Sequence, residues 1–104
     1  MKIKVGYADY TEKKTTLRES TLLTDNTSGL CDFDSLTIYI KSGLNRRVEG
    51  EVRIHEILHA IASMWSLNLS HEEEERVVSL FSLGLATVIH DNPALFTEII
   101  KQLK

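Results

Sequence analysis

Residues 55 to 59 read His55-Glu56-Ile57-Leu58-His59, an HExxH pattern inside a strongly helical stretch. An α-helix turns once per ~3.6 residues, so positions four apart sit one above the other on one face. His55 and His59 can therefore offer two imidazole nitrogens to one metal ion. Glu56 follows the first histidine and can reach a water on that ion. Two ligands and a general base in this order are the arrangement of a zinc-dependent peptidase. The segment around the motif strengthens the reading. Val52, Ile54, Ile57, Leu58, Ile61, Ala62 and Trp65 make the helix apolar over most of its circumference, and such a helix is expected to be buried. Histidines and a glutamate on a buried helix need polar partners, and a metal supplies one.

The chain has 104 residues, 42% of them hydrophobic. That suits one domain, residues 1–104, with a modest core. The net charge of −3 provides no basic field, so nucleic acid is not an expected partner. Cys31 is the single cysteine. It excludes an internal disulfide, fits a reducing cytoplasm, and reads as a small buried hydrophobe rather than a ligand. The N-terminus alternates Lys2, Lys4 and Gly6 with Ile3, Val5 and Tyr7. It is a half-buried strand and not a signal peptide. No apolar run approaches ~20 residues, so no membrane span is expected.

The first half reads as strands and turns. A second strand is expected near Thr15 to Leu17, and Leu22 and Leu23 belong to a short strand or a loop. Asp25 to Gly29 is a turn cluster, and Cys31 to Ser35 a tight turn. Leu36 to Lys41 is the clearest strand. The second half is helical. Asn45 caps a helix to about Ser66. Ser70 with Glu73 forms a capping box opening a helix to about His90. Asn92-Pro93 starts a short third helix whose Leu95, Phe96, Ile99, Ile100 and Leu103 face the body. The expected fold class is α+β: a small antiparallel β-meander, then two long helices and a short one, a minimal zincin-like layout.

A catalytic zinc takes three protein ligands and leaves a position for water. Trp65 stands where a metzincin has its third histidine. The remaining donors are His71, Glu72 to Glu75 and His90. Acidic residues in a first helical turn offset the helix dipole, which accounts for most of the glutamates. Val77, Val78, Phe81, Leu85 and Val88 mark the inner side of this helix, so Glu74 and Glu75 can face the core. Glu75 shares its face with the small Ser79, Ser82 and Ala86, which would let another helix approach. Glu75 is favoured as the third ligand, with Glu74 the alternative.

His55-Glu56-Ile57-Leu58-His59-Ala60-Ile61, Glu75-Arg76-Val77-Val78, Gly84-Leu85 and Asp91-Asn92-Pro93 together resemble small phage- and prophage-encoded metallopeptidases. Those are similar to the ImmA/IrrE group of gluzincin-like peptidases. The resemblance covers roughly residues 30 to 100 and includes the Gly29-Leu30-Cys31-Asp32 turn before a strand. It implies His55 and His59 as ligands, Glu56 as base, and a glutamate of the following helix as third ligand.

The expected activity is hydrolysis of a peptide bond with Zn2+ as cofactor, on a protein or peptide substrate. Strand 36–41 is expected at the sheet edge, where it could bind an extended substrate. Tyr39, His71 and His90 are candidates to stabilise the oxyanion. The alternative function is a zinc-binding regulatory or interaction module with little or no catalysis.

Overall fold

The computed structural model describes residues 1–16 and 27–104. Four strands come first: β1 (Lys2–Val5), β2 (Ala8–Thr15), β3 (Gly29–Asp32) and β4 (Thr37–Lys41). Three helices follow: α1 (Arg46–Met64), α2 (His71–Asp91) and α3 (Pro93–Gln102). The α+β layout expected from the sequence is the one observed.

The strand order is β1-β2-β4-β3. β1 and β2 form a hairpin whose two-residue turn places Gly6 at φ 62°. That conformation asks for glycine at the first turn position. β3 and β4 also pair antiparallel, but β2 and β4 run parallel. The sheet is therefore mixed and not a pure antiparallel meander. The reason lies in the order: β3, next in sequence after β2, lies at the rim, and β4 fills the place between them.

Three local readings change with this. Strand 36–41 becomes β4, an interior strand with a neighbour on each side, and the edge belongs to β3. Gly29 to Asp32 is that edge strand rather than a turn. The second strand runs from Ala8 to Thr15, earlier than expected, because its polar residues pair with neighbours on both sides. Leu22, Leu23 and, of the turn cluster, Asp25 and Asn26 lie outside the described residues. The turn near Asp32 holds: its Oδ1 accepts from the Asp34 and Ser35 amides at 3.1 and 3.4 Å.

The core sits between the sheet and α1. Ile38 and Ile40 are fully buried, with Val5, Tyr10, Cys31 and Ala60 around them. Burying side chains of this size stabilises by about 1.5–3 kcal/mol each. Arg53 of α1 ties the helix to the sheet with two bonds to Glu12, 2.6 and 3.0 Å long. Asn45 caps α1 by accepting from the Val48 amide at 2.9 Å. Ser66 ends it in a left-handed conformation, and the Leu67 amide bonds back to the Ala62 carbonyl. Ser70 caps α2 through the Glu73 amide.

The helices are less buried than their apolar content predicts. Trp65 is 65% exposed and Ile61 39%. On α2, Val78 is buried, but Phe81, Leu85 and Val88 are exposed. α3 touches α2 alone among the described elements, and none of its residues is buried. One sheet of four short strands can cover one face of one helix, and α1 takes it. No helix among the described residues is long and apolar enough to cross a membrane.

Candidate metal centre

Helical spacing brings the two motif histidines together: His55 Nε2 and His59 Nε2 are 3.2 Å apart. α2 packs across α1 at this level. The contact is close because Ser82 is small and buried at the junction. That packing carries the first turn of α2 over the histidines. Glu75 Oε1 lies 3.0 Å from His55 Nε2, and Glu75 Oε2 lies 2.8 Å from His59 Nε2. One donor from each of His55, His59 and Glu75 falls within 4.8 Å of the others.

These separations fit a single cation. Bonds of about 2.0–2.2 Å in a tetrahedron put neighbouring donors roughly 3.3–3.6 Å apart. The two imidazole nitrogens, 3.2 Å apart, are close to that spacing, and each Glu75 oxygen approaches one of them more closely, at 3.0 and 2.8 Å. The chemistry of the donors agrees. Glu74 Oε2 lies 2.7 Å from His59 Nδ1, so a ring proton on Nδ1 has its acceptor there. Nε2 of the neutral ring then presents a lone pair, and it faces a carboxylate oxygen that also has only lone pairs. A second ring proton or a cation must sit among these acceptors. A cation shared by His55, His59 and Glu75 would satisfy these lone pairs together.

Glu74 and Glu75 therefore take separate places. Glu75 supplies oxygens to the convergence point, as the sequence reading favours. Glu74 lies behind His59 and fixes its ring, as carboxylates do behind metal-bound histidines. Ser79 donates to Glu75 Oε1 at 3.4 Å from one turn further on.

Glu56 is buried beside this cluster. Burial pushes its carboxyl up to about 7; the nearby His59 opposes the rise and Glu75 adds to it. A carboxyl at that value exchanges a proton readily near neutral pH. Burial also lowers His55, assisted by His59 and opposed by Glu75, so its imidazole favours the neutral form a metal needs. Partial burial pushes Glu75 upward, but the charges and hydrogen bonds of His55, His59 and Ser79 outweigh it, and its carboxyl stays below the ordinary range. Cys31 is pushed to about 12, mainly by burial and then by the charge of Glu56, although a hydrogen bond with Tyr10 opposes the rise. It remains a buried thiol, as read from the sequence, and is not a donor.

Two hollows meet at Gly29 and Glu56. One, of about 400 Å³, is bounded by Leu30, Phe33, His59, His71 and Glu75. The other, of about 250 Å³, is bounded by Val52, His55, Ser79, Ser82 and Leu83. His71 is the one oxyanion candidate that lines either of them. Tyr39 lines neither, because strand alternation sends it to the sheet face opposite Ile38 and Ile40. His90 sits roughly 22 Å beyond Glu75 along the α2 axis and pairs with Asp91 at 2.9 Å.

Gly29 is a site residue that sequence reasoning placed in a turn. A Cβ added there would lie 2.7 Å from Val52 Cγ1 and 3.0 Å from Glu56 Oε2. Only a bare backbone lets β3 pass so close to Glu56. A glycine at the start of a strand was the one signal of that approach.

No family model, curated protein or solved structure matches the chain. The site is therefore read from its own geometry.

Proposed function

We propose that this chain is a zinc-dependent peptidase of gluzincin type, with His55, His59 and Glu75 as ligands and Glu56 as general base. The observation that supports the reading most is the convergence of three acceptors beside a buried glutamate with a raised pKa. A zinc ion held there acts as a Lewis acid and makes water a stronger nucleophile near neutral pH. Glu56 accepts the proton of the attacking water and returns it to the leaving amine. Glu74 keeps the His59 ring in one orientation through the cycle. The position of His71 on the border of the same hollow supports a role as donor to the developing oxyanion.

The substrate is an extended peptide. β3 is the edge strand beside the cleft, and no strand among the described residues pairs with its outer side, which suits strand addition. β3 takes the substrate-binding role that the sequence reading gave to strand 36–41. A single buried cysteine suits a reducing cytoplasm, in a bacterial host or encoded by a phage.

A second reading is a zinc-stabilised interaction module with little catalysis. The large exposed apolar face of α2 and α3 favours it. Zinc-loaded wild type and Glu56→Gln, each incubated with a diverse peptide library, separate the two. Cleavage by wild type alone, lost by ~10²-fold or more in the variant, is the peptidase outcome. Cleavage by neither protein favours the module, and equal cleavage by both refutes the role of Glu56.

A further inference from the structure

Among the described residues, nothing covers much of the apolar surface at the helical end of the molecule. Leu58 and Ile61 of α1, Trp65 at its C-terminal cap, and Phe81, Leu85 and Val88 of α2 border two adjoining apolar hollows of about 360 and 520 Å³. Gly84 lies on the same border, and a Cβ placed there would meet nothing within 4 Å. The backbone is thus open to close approach. α3 has the opposite problem. Its Leu95, Phe96, Ile99 and Ile100 share one helical face. Among the described residues that face is only partly covered: α3 touches α2 alone, Phe96 and Ile99 are half-buried, Leu95 and Ile100 are exposed, and none of its residues is buried.

We infer that two copies of this chain associate reciprocally, with the apolar face of α3 of each seated in the α1–α2 hollow of the other. A second copy satisfies both surfaces at once, because each chain carries both an apolar helix face and an apolar hollow. A two-fold interface has this self-complementary property. The dimensions agree. α3 has ten residues and is roughly 15 Å long, and the apolar row from Val77 to Val88 runs roughly 16 Å along α2. Helix-in-groove docking uses anchors at this helical spacing.

The area agrees as well. Phe81 is 67% exposed, Leu80 63%, Leu95 50%, Ile100 57% and Leu103 82%. With the partly exposed Ile61, Trp65, Leu67, Leu85 and Val88, they offer about the 800 Å² per partner of a standard stable interface.

The full-length chain is tested by sedimentation equilibrium over a concentration series. Wild type is expected to be dimeric at micromolar concentration. Phe81→Glu in the hollow and Ile100→Glu on α3 should each weaken the dimer by about 100-fold or more. Both side chains are exposed in the single chain, so circular dichroism should show each variant folded. Mixing the variants is the discriminating step. A mixed dimer retains one undamaged docking, so it should form more tightly than either variant with itself. A wild type that stays monomeric at about 100 μM overturns the inference and leaves the hollow to a different partner. A dimer indifferent to Ile100→Glu, or a mixture no tighter than its components, overturns the reciprocal docking.

Discussion

Glu74 Oε2 lies 2.7 Å from Nδ1 of His59, on the side of the ring opposite the donor cluster. Its neighbour in sequence, Glu75, reaches Nε2 of the same ring at 2.8 Å. Two consecutive glutamates thus grip one imidazole from both edges.

The first prediction follows from that grip. Glu74→Ala leaves every donor of the cluster in place but frees the His59 ring to turn. Zinc affinity should fall by 10–100-fold, the usual effect of losing such a partner. Glu75→Ala removes a donor itself and should cost more. Calorimetric titration of both variants with zinc checks the order. Equal losses would contradict the separate places assigned to the two glutamates.

The second prediction concerns pH. Folding raises the Glu56 carboxyl from 4.5 to about 7, so the folded chain holds that proton more tightly than the unfolded one. The stabilising contribution is complete below pH 4.5 and is lost as pH rises through about 7. Its size is on the order of 3 kcal/mol. Glu56→Gln has no proton to lose. In chelator-treated protein, the stability of the variant relative to wild type should grow across that window, as read by urea unfolding at a series of pH values. Parallel profiles would contradict the burial of Glu56 as an acid.

The third prediction uses the close approach of β3 to α1. Gly29→Ala places a methyl group against Val52 and Glu56. Overpacking of this kind costs about 1–3 kcal/mol. The displaced Glu56 should also lower any cleavage rate. Thermal unfolding and the peptide assay read the two effects, and an alanine variant with wild-type stability would contradict the tight packing.

Much of this was legible in the sequence because it depends on local chemistry. The i, i+4 histidines, the Asn45 and Ser70 caps and the Pro93 helix start are each set within one turn of chain. The third donor was legible in part. Periodicity pointed both Glu74 and Glu75 inward, and only the crossing of α2 over α1 decides which one meets the cluster. Sheet order was not legible, because the parallel pairing of β2 with β4 depends on partners distant in sequence. Burial was overestimated at Phe81, Trp65 and Ile100 because hydrophobicity reports what a side chain would cover, and not whether the same chain provides the cover. Gly29 was missed for a related reason: a glycine shows nothing of the backbone that must pass beside it.

The central claim is that His55, His59 and Glu75 converge on one metal ion. Calorimetric titration of chelator-stripped protein with zinc tests it most directly, with His55→Ala, His59→Ala and Glu75→Ala beside wild type. The account predicts about one zinc per wild-type chain, strongly weakened binding in all three variants, and a wild-type melting temperature raised by zinc. Absence of zinc uptake by a folded wild type, or a Glu75→Ala variant that binds as tightly as wild type, would contradict it.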